Sequence, residues 1–439
     1  MTSFAYGLFG FLAAIAVLVA VHEYGHFWVA RRLGVGVLRF SIGFGKPLLR
    51  WRRRGDPTEY VIGMIPLGGY VKMLDEREGE VPEELRESAF NRQSLAARSA
   101  IVAAGPAFNF LFALFAIWLV LVSGSGDIEP VVGGVEEDSP AMRAGFREGD
   151  RLLRIDGREV RGFGQHQLYL LHRAMKGGAV DFEVARDGGR RDLRVDFAGG
   201  MPPAGAGLGL RPPPPPAEVF RVVAGSPAEA AGLQRGDLVT EVDGVAVADW
   251  NDLAARIAER PGEQMILSLR RDGRALTAAV TPERALVDGA ARGRLGIYRP
   301  PPRGIRVRYG PLEAVAASAD YNWRMTAVTM RSLAGMLTAS VPADNLAGPI
   351  TIARVAGHTA QSGFDDFMRF LAIISISLGL INLLPIPLLD GGHLLFFAFE
   401  AVSGRAPSQR AMMRGQMIGA MLLVMLMSLA FYNDIMRLF

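Results

Sequence analysis

Four stretches of this chain are long and apolar enough to cross a lipid bilayer. A helix needs about 20 residues to span the apolar layer, and lipid tolerates only segments whose backbone groups are bonded internally. The stretches run roughly from Phe4 to Ala30, Ala100 to Val122, Phe367 to Leu389 and Met412 to Phe431. The sequence therefore predicts a polytopic α-helical membrane protein with four transmembrane helices. We assign these to residues 1–30, 98–123, 366–398 and 410–432.

Charge predicts how these helices are oriented. The loop after the first stretch has many basic residues close to the membrane: Arg31, Arg32, Arg39, Lys46, Arg50, Arg52, Arg53 and Arg54. Because cytoplasmic loops are enriched in such residues, we expect this loop inside and the N-terminus outside. Alternation then places Gly124 to about Asp366 outside. The net charge of +4 comes with no basic tail, so a membrane surface explains the basic residues better than nucleic acid does.

The external section contains an internal repeat with a shift of 87 residues. Ser139, Pro140, Ala141, Gly145, Gly149, Asp150, Asp156 and Gly157 fall on Ser226, Pro227, Ala228, Gly232, Gly236, Asp237, Asp243 and Gly244. Each copy combines a short helix, a GD turn, an apolar strand and a DG turn, an arrangement that resembles the bacterial PDZ domain. We therefore predict two tandem α+β domains, residues 127–211 and 217–300. A stiff linker, Pro212 to Pro216, separates them.

PDZ domains commonly bind extended peptides or C-termini by adding a strand to a sheet edge. A loop that binds the terminal carboxylate would be sought at Leu208 to Leu210 and at Leu295 to Ile297. Alternatively, the glycines there only permit a tight entry into a strand. Binding of peptide C-termini by these domains is therefore a hypothesis.

The first apolar stretch contains the motif HEYGH. His22 and His26 are four residues apart, so a helix presents both on one face. Two imidazoles at this spacing can hold zinc, and Glu23 can take a proton from a water whose pKa the metal has lowered to about 7. Ionisable side chains within a span are costly unless they line a cavity or bind a partner. We predict one catalytic Zn²⁺, with a purely structural histidine pair as the alternative.

A catalytic zinc site needs a third protein ligand, and the chain has no cysteine to supply one. By the predicted topology, His166, His172 and His358 lie outside the membrane. His26 lies near the cytoplasmic interface, where the third stretch ends with the sequence NLLPIPLLDGGHLL (382–395). Its acidic residue, Asp390, is the preferred ligand. On ligand chemistry alone, His393 remains a rival.

The combination of HEYGH with NLLPIPLLDGG resembles the site-2 protease family of intramembrane zinc metalloproteases. The resemblance implies that Asp390 is the third ligand beside His22 and His26, and that Glu23 is the general base. Four more segments resemble the RseP group of this family, which also carries two outward-facing PDZ domains. They are RFSIGFGKPLL (Arg39 to Leu49), IPLGGYVKM (Ile65 to Met73), GPAFNF (Gly105 to Phe110) and NLAGPI (Asn345 to Ile350).

A transmembrane substrate must be unwound locally, because a helix shields its peptide bonds. Pro385 and Pro387 break the third stretch. Asn382 could then bond an extended substrate backbone, the role that the resemblance implies. Alternatively, these residues only shape the turn beside Asp390. Asn109 of the second stretch either lines the active site or bonds a neighbouring helix.

The loop of residues 31–97 contains alternating segments punctuated by glycine, which predict short strands and hairpins at 39–44 and 60–71. The resemblance implies a membrane-associated β-hairpin region to whose edge a substrate strand could add. The alternative is a self-contained cytoplasmic hairpin. Further candidate substrate-binding residues are Gly43, Gly45, Gly68 and Gly69. Within residues 305–365, the helical pattern from Pro311 to Ala343 fits either a membrane-surface helix or plain packing.

The resemblance also implies a cellular role: cleavage of single-span proteins of the bacterial inner membrane, above all an anti-sigma factor whose outer part has been trimmed. Signal-peptide remnants are a further substrate class. The periplasmic domains would act as a size filter or as sensors of the trimmed end. Two other classes are a non-catalytic scaffold that presents PDZ domains to periplasmic C-termini, and a metal transporter. The intact HExxH and LDG motifs argue against the first, and the scarcity of other polar residues in the spans argues against the second.

Overall fold

The computed structural model describes residues 2–164, 166–197, 208–287, 290–300, 304–338 and 346–437. The chain divides into two compact units, one formed by Met1–Ser125 with Arg308–Phe439 and the other by Gly126–Val307. Asn345 of the NLAGPI segment, and the end of the helical stretch predicted up to Ala343, lie outside the described residues.

The first unit begins with a long helix and a bent hairpin. In chain order its elements are helix α1 (Thr2–Arg32), strands β1 (Val37–Arg52) and β2 (Glu59–Met73), two 3₁₀ turns (Glu83–Ser88 and Phe90–Arg92) and helix α2 (Leu95–Ser123). Both strands fold back on themselves, so that Phe40 pairs with both Tyr60 and Val71. Residues 47–52 pair with residues 59–63 on the far side. The strands predicted at 39–44 and 60–71 are therefore present as parts of one bent sheet.

The second unit has two halves. The first half contains β3 (Ser125–Ile128), β4 (Gly134–Val135), α3 (Pro140–Arg143), β5 (Arg151–Ile155), β6 (Arg158–Glu159), α4 (Gln167–Lys176), β7 (Ala179–Arg186), β8 (Gly189–Asp196) and β9 (Leu210–Arg211). The second half contains β10 (Arg221–Val222), α5 (Pro227–Ala230), β11 (Leu238–Val242), β12 (Val245–Ala246), α6 (Trp250–Ala258), β13 (Met265–Arg271), β14 (Arg274–Val280), β15 (Glu283–Val287), β16 (Ala290–Arg294), β17 (Ile297–Tyr298) and β18 (Gly304–Val307).

The two halves repeat the same local structure. Their main sheets have the orders β6-β5-β7-β8 and β12-β11-β13-β14, and each half has its own apolar core. Ser139 and Ser226 cap the equivalent short helices α3 and α5 by accepting a backbone N–H three residues on. The sequence repeat is thus a structural repeat.

The chain then returns to the first unit with helices α7 (Pro311–Leu337), α8 (Pro349–Ser362), α9 (Phe364–Leu383), α10 (Asp390–Ser403) and α11 (Gln409–Met436). Asp434 near the end of α11 accepts hydrogen bonds from the N–H groups of Gly348, Ile350 and Thr351. These donors begin α8, so a carboxylate from another helix satisfies its first turn.

Among the described residues, four helices are long and apolar enough to cross a membrane: residues 9–32 of α1, and α2, α9 and α11. This agrees with the predicted number of spans. The third is shorter than the predicted range 366–398, because α9 ends at Leu383 and a separate helix begins at Asp390. Pro385 and Pro387, which lack backbone donors, lie between the two helices.

Helix α7 is not one of these four candidate spans. Tyr321 and Met325 on one of its faces pack against a buried cluster from α2 and α9. Leu312 and Trp323 are 88% and 70% exposed. One face of α7 is therefore packed, whereas apolar side chains on the rest of the helix are exposed.

Candidate metal centre

The HEYGH motif lies at the end of α1, against α2. His26 is buried, and its Nδ1 donates a hydrogen bond to the main-chain oxygen of Ile101 at 2.8 Å. The two helices approach closely at Gly25, where a Cβ would collide with the carbonyl group of Ala104. The glycine within the motif therefore brings α1 near enough for α2 to orient the His26 ring.

Asp390, the first residue of α10, meets both histidines. Its Oδ2 lies 3.2 Å from His22 Nε2 and 3.5 Å from His26 Nε2, and the two Nε2 atoms are 3.3 Å apart. The three side chains are only 12%, 11% and 18% exposed. Within the described residues, this is the one group of three histidine or acidic side chains spaced to hold a metal ion.

The chemistry of these three atoms fits zinc. Since His26 Nδ1 carries a proton toward Ile101, Nε2 of the neutral ring presents a lone pair. It faces Asp390 Oδ2, which is buried and has no hydrogen-bond partner. Ligand atoms at roughly 2.0–2.1 Å from a tetrahedral zinc ion lie about 3.3 Å from one another, close to the spacing of these atoms. Converging acceptors at this spacing suit a cation with three protein ligands.

The other nitrogen of His22 lies beside Asn109 of α2. The side-chain amide nitrogen of Asn109 is 3.1 Å from His22 Nδ1, and its Oδ1 is buried without a hydrogen-bond partner. If His22 offers Nε2 to a metal, Nδ1 carries the proton and needs an acceptor. Rotation of the amide by 180° exchanges nitrogen and oxygen and supplies that acceptor. Asn109 therefore lies in contact with one ring of the clustered side chains.

Asn382, in the last turn of α9, approaches the Nε2 side of the same ring. Its amide nitrogen lies 3.5 Å from His22 Nε2. The amide thus adds a hydrogen-bond donor at the edge of the acceptor cluster.

The loop between α9 and α10 sets the position of Asp390. Leu388 in this loop has a φ of 145°, an uncommon value for a residue with a side chain. The loop is also crowded, because a Cβ at Gly391 would collide with the carbonyl of Leu384 and one at Gly392 with that of Ile386. Strained backbone next to a residue of a polar cluster is typical of functional sites.

Glu23 projects from α1 in a different direction from its neighbour His22, because successive residues of a helix are about 100° apart. It is within electrostatic reach of His22, His26 and Asp390. On its other side lies the hairpin: a Cβ at Gly69 would be 3.0 Å from Glu23 Cγ. Glu23 therefore lies between the acceptor cluster and β2.

The remaining predicted glycines have neighbours within the hairpin. A Cβ at Gly43 would approach the main chain of Ile65 and Gly63, and Gly45 lies beside the Ile65 side chain. Gly68 faces the ring of Phe44. Of the four predicted glycines, Gly69 is the one that these contacts bring to the HEYGH helix.

The other histidines do not join the cluster. His393, the rival of Asp390, is exposed on α10 and is not among the clustered side chains. His166 and His172 belong to the second unit, and His358 is exposed on α8. The arrangement favours Asp390 over His393 as the candidate third metal ligand.

One residue of this site escaped the sequence-based prediction. A Cβ at Gly105 of α2 would collide with the His26 ring and lie 2.8 Å from Cε1 of His22. Gly105 therefore leaves room for both rings. The sequence did contain a signal for this role. Gly105 precedes Pro106 in the apolar segment GPAFNF, and since glycine is unfavourable inside a helix, its presence there indicates a need for space.

Comparison with known proteins identifies the family of this chain. A sequence model of peptidase family M50 matches residues 10–426. The regulator of sigma-E protease RseP of Escherichia coli is 43% identical over 453 residues, covering 100% of both chains. A Vibrio cholerae protein whose name assigns it to the zinc metalloproteases is 39% identical, again covering 100% of both. A solved PDZ domain of an SdrC-like protein from Listeria innocua matches 19% of this chain and 92% of its own, with 24% identity and a TM-score of 0.17, which is too low to argue from.

This chain belongs to peptidase family M50. It is a metalloprotease that acts as an intramembrane protease, and the non-catalytic scaffold and the metal transporter are set aside.

Proposed function

We propose that His22, His26 and Asp390 hold one catalytic zinc ion, with which this chain hydrolyses peptide bonds of single-span membrane proteins inside the bilayer. The observation that carries this proposal is the convergence of three acceptor atoms, 3.2–3.5 Å apart, between helices α1 and α10. A bound zinc ion would supply Lewis acidity to a substrate carbonyl and to water at this point.

Glu23 is the proton carrier in this proposal. Its carboxylate takes a proton from the attacking water and delivers it to the nitrogen of the leaving amine. Asn382, whose amide nitrogen lies at the edge of the acceptor cluster, donates a hydrogen bond to the substrate backbone. Asn109 holds the His22 ring in the orientation that presents Nε2 to the metal.

An unwound substrate has a suitable receptor beside Glu23. Residues 69–73 of β2 pair with β1 along one edge, and Gly69 on this segment faces Glu23. An extended substrate segment could add to the other edge by β-augmentation. On the α10 side, the helical backbone is interrupted at Pro385 and Pro387, and we place the same substrate segment beside this break.

The proposed topology is supported by the basic residues after α1. Arg31 and Arg32 end the helix one to two turns beyond His26, which favours an active site in the cytoplasmic half of the inner membrane, supplied with water from the cytoplasm. The second unit would then be periplasmic, with its two repeated halves acting as PDZ domains. We propose that they restrict access to substrates with short outer tails.

The names of the relatives suggest a class of substrate. A regulator of sigma-E protease acts on the sigma-E system, and an anti-sigma factor with a single span and a trimmed periplasmic tail fits the site described here. The signalling output would be release of a transcription factor into the cytoplasm.

A reconstituted system tests the proposal. The full chain and a tagged single-span protein with a short outer tail are placed in liposomes, and products are mapped by mass spectrometry. We expect a cut inside the substrate span, loss of cutting with a zinc chelator, and recovery when zinc is added back. Cleavage that resists the chelator, or a cut outside the span, would contradict it.

A further inference from the structure

A cavity of about 720 Å³ lies where the end of α1 meets the outer part of the hairpin. It is separate in its lining residues from the metal centre. One end is basic, with Arg31, Arg32 and Arg53, and its walls include the rings of Trp28 and Trp51. The cavity therefore combines cationic and aromatic groups next to an apolar helix.

One of the three arginines is already paired. Arg31 donates to Asp56 Oδ2 at 2.6 Å, and the Tyr60 hydroxyl donates to the same oxygen at 3.0 Å. Burial alone would raise the pKa of Asp56, but hydrogen bonds from Thr58, Arg31 and Tyr60 lower it, so this carboxylate is ionised at neutral pH. Its charge neutralises Arg31.

The other two arginines leave an excess of positive charge. No ion-pair partner is found among the described residues for Arg32 or Arg53, and both side chains are exposed. The Arg32 guanidinium lies 5.0 Å above the centre of the Trp28 ring, which orients the group without neutralising it. Two guanidinium groups thus remain available for an anion.

The aromatic wall runs from this basic end along α1 into the apolar stretch. Tyr24 and Trp28, one turn apart, are 46% and 40% exposed. On the hairpin side, Trp51 is 47% exposed and stacks on Tyr60 with ring centroids 5.7 Å apart. Exposed tryptophan and tyrosine next to arginine are characteristic of the boundary between headgroups and acyl chains.

We propose that this cavity binds the headgroup of an anionic phospholipid. The phosphate lies between Arg32 and Arg53, where charge-assisted hydrogen bonds from guanidinium groups suit its oxygens, and an acyl chain follows Trp28 and Tyr24 along α1. A free phosphate would use the basic end but not the apolar wall. The predicted cytoplasmic side of this loop agrees, because anionic lipids attract basic residues close to the membrane.

The test compares lipids on the full-length protein in detergent. Native mass spectrometry measures binding of phosphatidylglycerol and of zwitterionic phosphatidylcholine to the wild type, to the double variant R32Q/R53Q and to R50Q/R52Q. The last variant removes the same charge from exposed arginines of the same hairpin that do not line the cavity. The metal content and the unfolding midpoint of each variant verify its fold.

We expect the wild type to prefer phosphatidylglycerol on the order of tenfold, R50Q/R52Q to keep this preference, and R32Q/R53Q to lose it. If both double variants lost this preference equally, lipid binding would depend on general surface charge, and the proposal would be overturned. A wild type without preference would also overturn it. Displacement of bound lipid by inorganic phosphate or glycerol phosphate at the same concentration would identify a free-phosphate site instead. If R32Q/R53Q unfolds, Arg53→Glu alone must weaken phosphatidylglycerol binding.

Discussion

The metal centre and the repeated second unit differ in the partners of their buried carboxylates. In the second unit, Asp150 and Asp237 are fully buried, and each accepts two hydrogen bonds from an arginine, Arg186 or Arg271. In the metal centre, Asp390 Oδ2 is buried without a hydrogen-bond donor and faces two imidazoles. A buried carboxylate paired with arginine has a structural role, whereas one that faces two imidazoles without a hydrogen-bond donor has the environment of a metal ligand.

The largest expected effect is a loss of peptide-bond cleavage while the metal stays bound. Glu23→Gln removes the proton acceptor but none of the three clustered atoms. We expect cleavage of a single-span substrate to fall by about 10²–10⁴-fold, with zinc content and unfolding midpoint unchanged. Assays of product formation and of bound zinc on the same preparation check this. Near-normal proteolysis by this variant would remove Glu23 from the mechanism.

The arginine-paired carboxylates of the second unit allow a complementary prediction, which concerns stability. Asp150→Asn leaves Arg186 without its ionised partner and should destabilise the first half of the second unit by about 3 kcal/mol. Hydrogen exchange on the full chain should show lost protection in β7, while the metal centre keeps its zinc.

Two variants control for this experiment. Asp237→Asn should have the equivalent effect on β13 and leave β7 protected. Asp181 lies on β7 with its side chain 68% exposed, so Asp181→Asn should change little. If Asp150→Asn instead released zinc, the contrast between the two regions would be wrong.

Asn109 gives a further test of this comparison. In the proposed site it orients the His22 ring, so its replacement should affect zinc binding more than stability. Replacement by leucine should weaken zinc binding by about 10–100-fold, measured by competition with a chelator. Asn109→Asp keeps an acceptor for His22 Nδ1 and should retain most of the affinity. Ser375→Ala serves as the control, since the Ser375 hydroxyl donates to the main-chain oxygen of Asn109 and not to its side chain. Equal affinities for the leucine and aspartate variants would leave Asn109 with a packing role.

The smallest effect is a pH dependence confined to the second unit. Burial alone would raise the pKa of Asp150 and Asp237, but the hydrogen bonds from Arg186 and Arg271 produce a net lowering. A carboxyl whose folded pKa is below its unfolded value of about 3.9 stabilises the fold above that pH, and this contribution is lost as pH falls through the folded pKa. The difference in β7 protection between wild type and Asp150→Asn should therefore be constant from pH 7 to about 5 and shrink below about 4. A difference that grows on acidification would contradict this sign.

Local patterns predicted much of the molecule. Runs of apolar residues predicted the four spans, because lipid imposes the length and the helical form. The shift of 87 residues predicted the structural repeat, and the spacing of His22 and His26 predicted a shared helix face. Each of these features depends on residues near one another in the chain or on direct repetition.

Contacts between distant segments could not be predicted in this way. The choice between Asp390 and His393 depends on how the loop after α9 turns, and Leu388 adopts a backbone conformation that no propensity favours. The role of Gly105 depends on the distance between α1 and α2. Both are properties of packing, which the period of a helix does not encode.

Zinc spectroscopy tests most directly the claim that His22, His26 and Asp390 hold one zinc ion. X-ray absorption at the zinc edge, together with zinc content, is measured on the wild type, Asp390→Ala and His393→Ala. We predict one zinc per chain in the wild type, with nitrogen and oxygen ligands at about 2.0–2.1 Å, the same spectrum in His393→Ala, and loss of zinc in Asp390→Ala. Zinc retained in Asp390→Ala but lost in His393→Ala would contradict the account.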